Sequence, residues 1–551
     1  MSPNNHDNNT DGLPSSLPAE ESPARISRIL ATSLVARCRS LLAELDAFQA
    51  LLVETQRNPQ VVEVRSLKSS VLSELRTLEK LEAQVKVIPV EDEDENGTGT
   101  ADGESDDAAR RLVHALRSSN LPFYEAVWGI AKNTCQGLLA FGKRFYWGGE
   151  GEGEGEGGDD KGKKGKGKGK GGGGHGGGGD RRVGKDKRKS VFVDIIADDG
   201  EEWVKVSTIS ESRLLFEMAK KGWEADSESE DDGEARTVLR NCDGDDDDDD
   251  DDEIELIKLA SDLRKAADAT RVKYKHPRLR FVIPKIEEGS SEIDGLLKII
   301  RGYGIRVDCG EKAYAVSGQE GLSHLLPKPF KRFTSPLNVD CTLLLAAVSD
   351  LSHYKNITQS PEHHKAINRQ IAVEHERPLL PTELWPAMGA NELVCVEEAA
   401  RRMKEIVTII GTDTEKLRMQ ILTGEAPFNE CSREELIQKY QELSDYEIPA
   451  QWKIPVKTVE AQSVIAAATD SAKLPPVYHK VAENLSDINY SVFLYGWAAG
   501  LATISSNRTV VKEIESIVEK HRDGDEHLEG PLIWVCDTAR SLIGKEKGRK
   551  D

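Results

Sequence analysis

Two short apolar runs in the last third of the chain each end on an acid, and that arrangement leaves few folds open. Leu337-Asn338-Val339-Asp340 passes directly into Cys341-Thr342-Leu343-Leu344-Leu345, and Leu393-Val394-Cys395-Val396 is followed by Glu397 and Glu398. Each reads as a buried strand handing over to a helix, the pattern of a parallel sheet. Ligands of such sheets bind beyond the carboxyl ends of the strands, where Asp340 and Glu397 stand. Carboxylates in that place suit Mg2+ or Mn2+, hard cations that want oxygen ligands, and such metals activate water against a phosphodiester. Thr342 is placed to orient that water or the Asp340 carboxylate. The plainer alternative, that Asp340 caps the helix after it, fits the local pattern equally well.

The chain has 551 residues, 38% of them hydrophobic, enough for two or three domains. Residues 1–22 read as a disordered tail. A helical region is expected over 23–146, with a hairpin at its start, because Leu34, Cys38, Leu41, Leu45 and Leu52, then Leu67, Val71, Leu75 and Leu78, recur at helical spacing. Residues 147–190 form a Gly-rich insert that buries nothing. A small α/β domain follows over 191–317, beginning with the strand pair Val191–Ile196 and Trp203–Val206 around Asp198-Asp199-Gly200. Residues 318–335 read as a connector. The last domain, 336–551, is α/β with a mainly parallel sheet. Its strands are expected at Leu337–Asp340, Leu393–Val396, Tyr490–Tyr495 and Leu532–Cys536. Its helices are expected at 342–352, 397–409, 414–423, 433–444, 457–468 and 508–520.

Charge sits in the connecting segments. The acidic loop 91–107 carries nine acids and no base, and the acidic disordered insert 224–255 carries eighteen acids against two arginines. With both set aside, the formal charge moves from −22 to +3, which argues against strong nonspecific affinity of the core for nucleic acid. The basic cluster Arg181, Arg182, Lys185, Lys187, Arg188 and Lys189 reads as a solvated linker end, or more sharply as a nuclear-import signal or phosphate contact. None of the eight cysteines makes a CxxC pair, so reduced core thiols are expected in a cytoplasmic or nuclear protein. No run approaches the length of a membrane span, so no membrane association is expected. No Walker A loop, GxGxxG or GxSxG is present, so no nucleotide cofactor is expected.

The segments Val193-Asp194-Ile195-Ile196 with Trp203-Val204-Lys205, Leu337–Thr342, Glu392–Glu397 and Leu532–Leu542, taken in order, resemble an uncharacterised eukaryotic family, the domain of unknown function 1308 family. That resemblance covers the chain apart from its low-complexity inserts and implies a C-terminal PIN-like domain, a parallel α/β nuclease fold with an acidic metal cluster. By it, Asp340 matches the first acid and Glu397 the second. A later strand of such domains ends in a turn that supplies another acid. Here Ser491-Val492-Phe493-Leu494 leads into Tyr495-Gly496-Trp497, with no acid in the turn, and Asp537 after the last strand is the substitute on offer.

Two weaker constellations are on the chain. Asp194 and Lys205 suggest a restriction-type nuclease, but Trp203 stands where its second acid would be, so a two-stranded ribbon with one wet face is the simpler reading. His353, His363, His364 and His375 lack zinc-ligand spacing. Two functional readings stay open: a metal-dependent RNA nuclease or its degraded relative, with RNA as partner, or a catalytically inactive scaffold that binds protein or RNA.

Overall fold

The computed structural model describes residues 22–56, 62–88, 103–148, 189–222, 253–314, 321–361, 363–536 and 539–543. The N-terminal tail up to residue 21, the glycine tract, Arg181–Arg188, the poly-Asp run, Cys242 and Asp537 lie outside the described residues.

Two five-stranded sheets organise the chain. The first runs in sequence order through β1 (Ala140–Trp147), β2 (Lys189–Ala197), β3 (Glu202–Val206), β4 (Arg278–Ile283) and β5 (Ile305–Cys309). It is antiparallel from β1 to β3 and parallel from β3 to β5. The expected strand pair is β2 and β3. The extension of the helical region to residue 146 is corrected, since Ala140–Trp147 is a strand. Its run of aromatics with Gly142 at φ +64° suits a twisted ribbon and not a helix interior. Its partner β2 enters only beyond residue 188, so no hairpin signal is adjacent in the sequence.

Helices cover both faces of this sheet. On one side lie α1 (Pro23–Thr55), α2 (Arg65–Val87), α3 (Gly103–Arg117) and α4 (Leu121–Thr134). They pack Leu45, Phe48, Leu78 and Trp128 against Phe141, Ile195, Val204 and Val282. Lys68 Nζ donates to Gln49 Oε1 at 2.7 Å and Arg39 pairs with Glu79 at 2.7 Å, which fixes α1 and α2 as the expected antiparallel hairpin. Helix α3 opens at Gly103, inside the acidic stretch expected to be loop throughout. On the other side α5 (Glu211–Lys220), α6 (Glu255–Asp268) and α7 (Ser291–Gly302) pack on Trp203, Leu279 and Phe281. Ser210 and Ser290 cap α5 and α7.

The second sheet is wholly parallel, as expected of an α/β domain. Its order is β10-β9-β6-β7-β8. Here β6 is Leu337–Val339, β7 Leu393–Val396, β8 Lys457–Val459, β9 Thr503–Ser505 and β10 Ile533–Val535. Helix α8 (Cys341–Val348) leaves β6 directly. Lys457–Val459, expected to begin a helix, is the edge strand, and the helix starts at Ala461. The larger correction concerns Tyr490–Tyr495. This segment is helical, a π turn over Tyr490–Leu494 continued by a helix over Tyr495–Ala499. Ser491, Val492, Phe493 and Leu494 are all buried, and a helix apolar on every side looks like a buried strand in sequence. Gly500 ends it in the left-handed region at φ +69°, and the true strand β9 follows.

A two-residue turn joins the two halves. Val272 and Lys275 bridge backbone to backbone, which leaves Lys273 and Tyr274 at φ +49° and +72°. Neither is Gly, so the turn carries strain. Burial of the Tyr274 ring among the core residues of the second sheet offsets it. The ring lies so close to Gly530 that a Cβ there would come 2.3 Å from Cζ. Around it Arg522 donates to the Tyr274 carbonyl at 3.2 Å, Arg271 and His276 reach Glu526, and Lys275 pairs with Glu529 at 2.6 Å. Tyr274→Ala is expected to lower unfolding free energy by about 3 kcal/mol in urea titration. A variant as stable as the parent would show that the turn merely touches the second sheet.

Candidate functional site

The carboxyl ends of β6, β7 and β9 are the place where the sequence puts its chemistry. Asp340 follows β6. Its backbone N–H donates to the Ile504 carbonyl of β9 at 3.0 Å, and its own carbonyl accepts from Leu343 and Leu344 in the first turn of α8. It therefore holds the N-cap position; its carboxylate makes no cap bond of ordinary geometry, although the backbone N–H groups of Cys341 and Thr342 lie near enough to favour its charge. The carboxylate is turned inward, 3% exposed. Oδ2 accepts from Thr342 Oγ1 at 2.7 Å and from Ser505 Oγ at 2.6 Å. Each hydroxyl in turn accepts a backbone N–H, Thr342 from Ser506 at 3.2 Å and Ser505 from Asn507 at 3.0 Å. Both hydroxyl protons are thereby directed at Asp340, and the chain of bonds polarises in one sense. Burial pushes the Asp340 carboxyl above the usual carboxylate range, and the two hydroxyl donors oppose that push.

Thr342 thus orients the Asp340 carboxylate, one of the two roles open to it. Ser505, Ser506 and Asn507 were missed by sequence reasoning, because the strand that delivers them was placed a dozen residues early. A signal for them exists: Gly500 ends a helix, Asn507 caps the next over Arg508–Lys520, and the six residues between them suffice for a strand. The turn after β9 is Ser505-Ser506-Asn507 and carries no acid. Trp497, expected at that turn, lies instead in the preceding helix.

Glu397 stands on different terms. Strands β6 and β7 pair Leu337 with Leu393 and Asn338 with Val394, so the shared register sets Asp340 beside Val396 and Glu397 one step further. It is exposed at the start of the helix Glu397–Ile410. It borders an open groove with Arg401, Lys404, Ile409 and Thr458, a groove in which Asp340 has no part. Glu398 beside it has one buried carboxylate oxygen, Oε2, without a hydrogen-bond partner. Among the described residues no three His, Cys, Asp or Glu side chains gather closely enough to hold an ion. The described donor set does not fit Mg2+ or Mn2+, because the Asp340 oxygen facing β9 is engaged by hydroxyls and Glu397 opens into a separate groove.

The other candidates resolve into structure. Asp194 and Lys205 form an ion pair of 3.1 Å, and Asp194 also accepts from Val206 N at 2.8 Å, pinning β2 to β3. The histidines do not converge. His353 is buried, with Nε2 against the Ala347 carbonyl at 2.7 Å and Nδ1 against Ser444 Oγ at 2.9 Å. His364 caps the helix Lys365–Glu376. The cysteines beside the site are free and buried, with burial pushing the thiols of Cys341 and Cys395 up to about 12 and about 11. At those values they are core groups and not nucleophiles.

Residues 337–442 match the family model described as Protein of unknown function (DUF1308). That match spans β6, β7 and the helices between and after them, and it shows the expected family over this stretch. No curated protein and no solved structure gives a significant match to the chain.

Asp340→Ala removes the acceptor of two buried hydroxyls and is expected to cost about 2–4 kcal/mol of stability, with Ser505→Ala costing about 1–2 kcal/mol. Urea unfolding of the two variants and their double mutant measures this, and additive losses would disprove the coupling. His353 is held neutral, burial keeping it well below its ordinary value. The unfolded chain therefore takes up this proton first, and stability falls as pH drops below about 6.5, by up to about 1.4 kcal/mol per pH unit. The urea midpoint should decline less between pH 7 and pH 5.5 in His353→Gln than in the parent.

Proposed function

We propose that this chain is a non-catalytic binding module in which the acid-tipped strand has become part of the fold. The observation that carries the reading is the Asp340 carboxylate, buried, with its Oδ2 engaged by the hydroxyls of both Thr342 and Ser505. A general base or metal ligand must present free lone pairs to substrate or ion. Here the lone pairs of Oδ2 fasten β6 to β9, and Glu397 faces solvent elsewhere. Surfaces, and not a catalytic cleft, are then what the molecule offers to a protein or RNA partner.

A second reading, a metal-dependent RNA nuclease, draws on one observation: Asp340 and Glu397 follow adjacent parallel strands. Incubation of the full chain with labelled RNA and Mn2+ separates the two. The binding-module reading expects no cleavage above a mock preparation and no Mn2+-dependent rise in melting temperature. Mn2+-dependent cleavage that Asp340→Asn abolishes at unchanged melting temperature would overturn it in favour of the nuclease.

A further inference from the structure

We propose that the outer face of α1 is a self-association surface, on which a second copy of this chain docks its own α1 antiparallel. The inference goes beyond the binding-module reading and does not depend on it, since it uses neither Asp340 nor the second sheet.

The seam comes from spacing. Helix α1 has 33 residues and rises about 50 Å. Its buried positions, among them Leu34, Leu41, Leu45 and Phe48, pack in the core of the first sheet. On the opposite face Ser33, Ala36, Ser40, Ala43, Ala47 and Ala50 are all exposed. They recur at alternating steps of three and four residues, the repeat of a coiled-coil seam. Steps in that order read the same from either end, so an antiparallel copy sets Ser40 opposite Ala43, Ala36 opposite Ala47 and Ser33 opposite Ala50. Ile29, 53% exposed, then meets the helix end that carries Val53, 60% exposed, and each covers the other. Side chains this small let two helix axes approach to about 8 Å.

Charge selects a second copy and fixes its direction. From Pro23 to Arg39 the helix carries Arg25, Arg28, Arg37 and Arg39 and no acid, and from Ser40 to Thr55 it carries Glu44, Asp46 and Glu54 and no base. That order opposes the helix dipole, which favours acids at the start and bases at the end, so it does not stabilise the helix from within. The same helix running the other way answers it, acidic half against basic half. The flanks of the seam agree on one register. Arg37 and Glu44 border it on one side, Arg39 and Asp46 on the other, each pair one heptad apart. With Ser40 opposite Ala43, Arg37 comes to Glu44 of the second copy and Arg39 to Asp46 of the second copy, and two-fold symmetry repeats both pairs. All four already have ion pairs inside the chain, with Glu125, Lys132, Glu79 and Lys68, yet each stays about half exposed and open to a second partner. A parallel copy would instead set arginine beside arginine.

Sedimentation velocity of the full chain over a range of concentrations tests the assignment. A reversible dimer is expected, weaker in high salt because its flanking pairs stay exposed. Ala43→Lys brings two ammonium groups to the centre of the seam and should raise the dimer Kd about ten-fold or more at unchanged melting temperature. Direction is read by oxidative cross-linking at the outer layer of the seam. Chains carrying Ser33→Cys, mixed with chains carrying Ala50→Cys, should give the mixed disulfide, and Ser33→Cys chains alone should not cross-link at that position. If Ala43→Lys melts lower than the parent, the cysteine pair decides alone. The proposal is overturned if the chain is monomeric at every concentration, as for a face kept for an unrelated protein. It is equally overturned if Ala43→Lys folds and dimerises like the parent, or if Ser33→Cys cross-links to itself in place of Ala50→Cys.

Discussion

A carboxylate stays inside a protein only where donors are fixed around it, and the second sheet is assembled around that requirement at Asp340. Thr342 comes from α8 and Ser505 from β9, so satisfying one side chain locks the strand, the helix that leaves it and the neighbouring strand. Asn338, two residues earlier on β6, repeats the device. Its amide donates to the Val492 carbonyl at 2.9 Å and to Thr503 Oγ1 at 3.0 Å, seating the helical segment 490–499 on the sheet. Gly496 is the counterpart on that segment, where a Cβ would come 2.0 Å from Thr503 Oγ1. Alternate residues of a strand share a face, so two polar side chains in a buried strand specify its neighbours in a way that apolar packing alone does not.

The same arrangement explains what was and was not legible in the sequence. Leu393–Val396 and the helix 508–520 were readable because their apolar periods and their ends are local. β1 was not, since the strand that completes it lies beyond the glycine tract. Tyr490–Leu494 misled because burial on all sides erases helical periodicity. At the site, Asp340 and its link to Thr342 were within reach, two residues apart. Ser505 was not, being 165 residues away, and its hydroxyl is the bond that ties the acid to the neighbouring strand.

Tyr274 shows the same logic between the halves. A tight turn without glycine is costly, and an isolated one would relax. The ring finds its place only because Gly530 has no side chain and because Arg522, 7% exposed, takes the turn's carbonyl. Local strain in the first half is thus offset by packing in the second, which ties their stabilities together.

Where a charge sits decides what it does. Asp350 with Arg418, Arg280 with Asp308 and Glu374 with Arg540 are buried pairs, each charge answered by a fixed partner. Such pairs add little net stability over apolar packing and serve to define one arrangement. Asp340 belongs with them, answered by hydroxyls instead of a cation. An acid at a strand end draws attention first, but it has already been used by the structure.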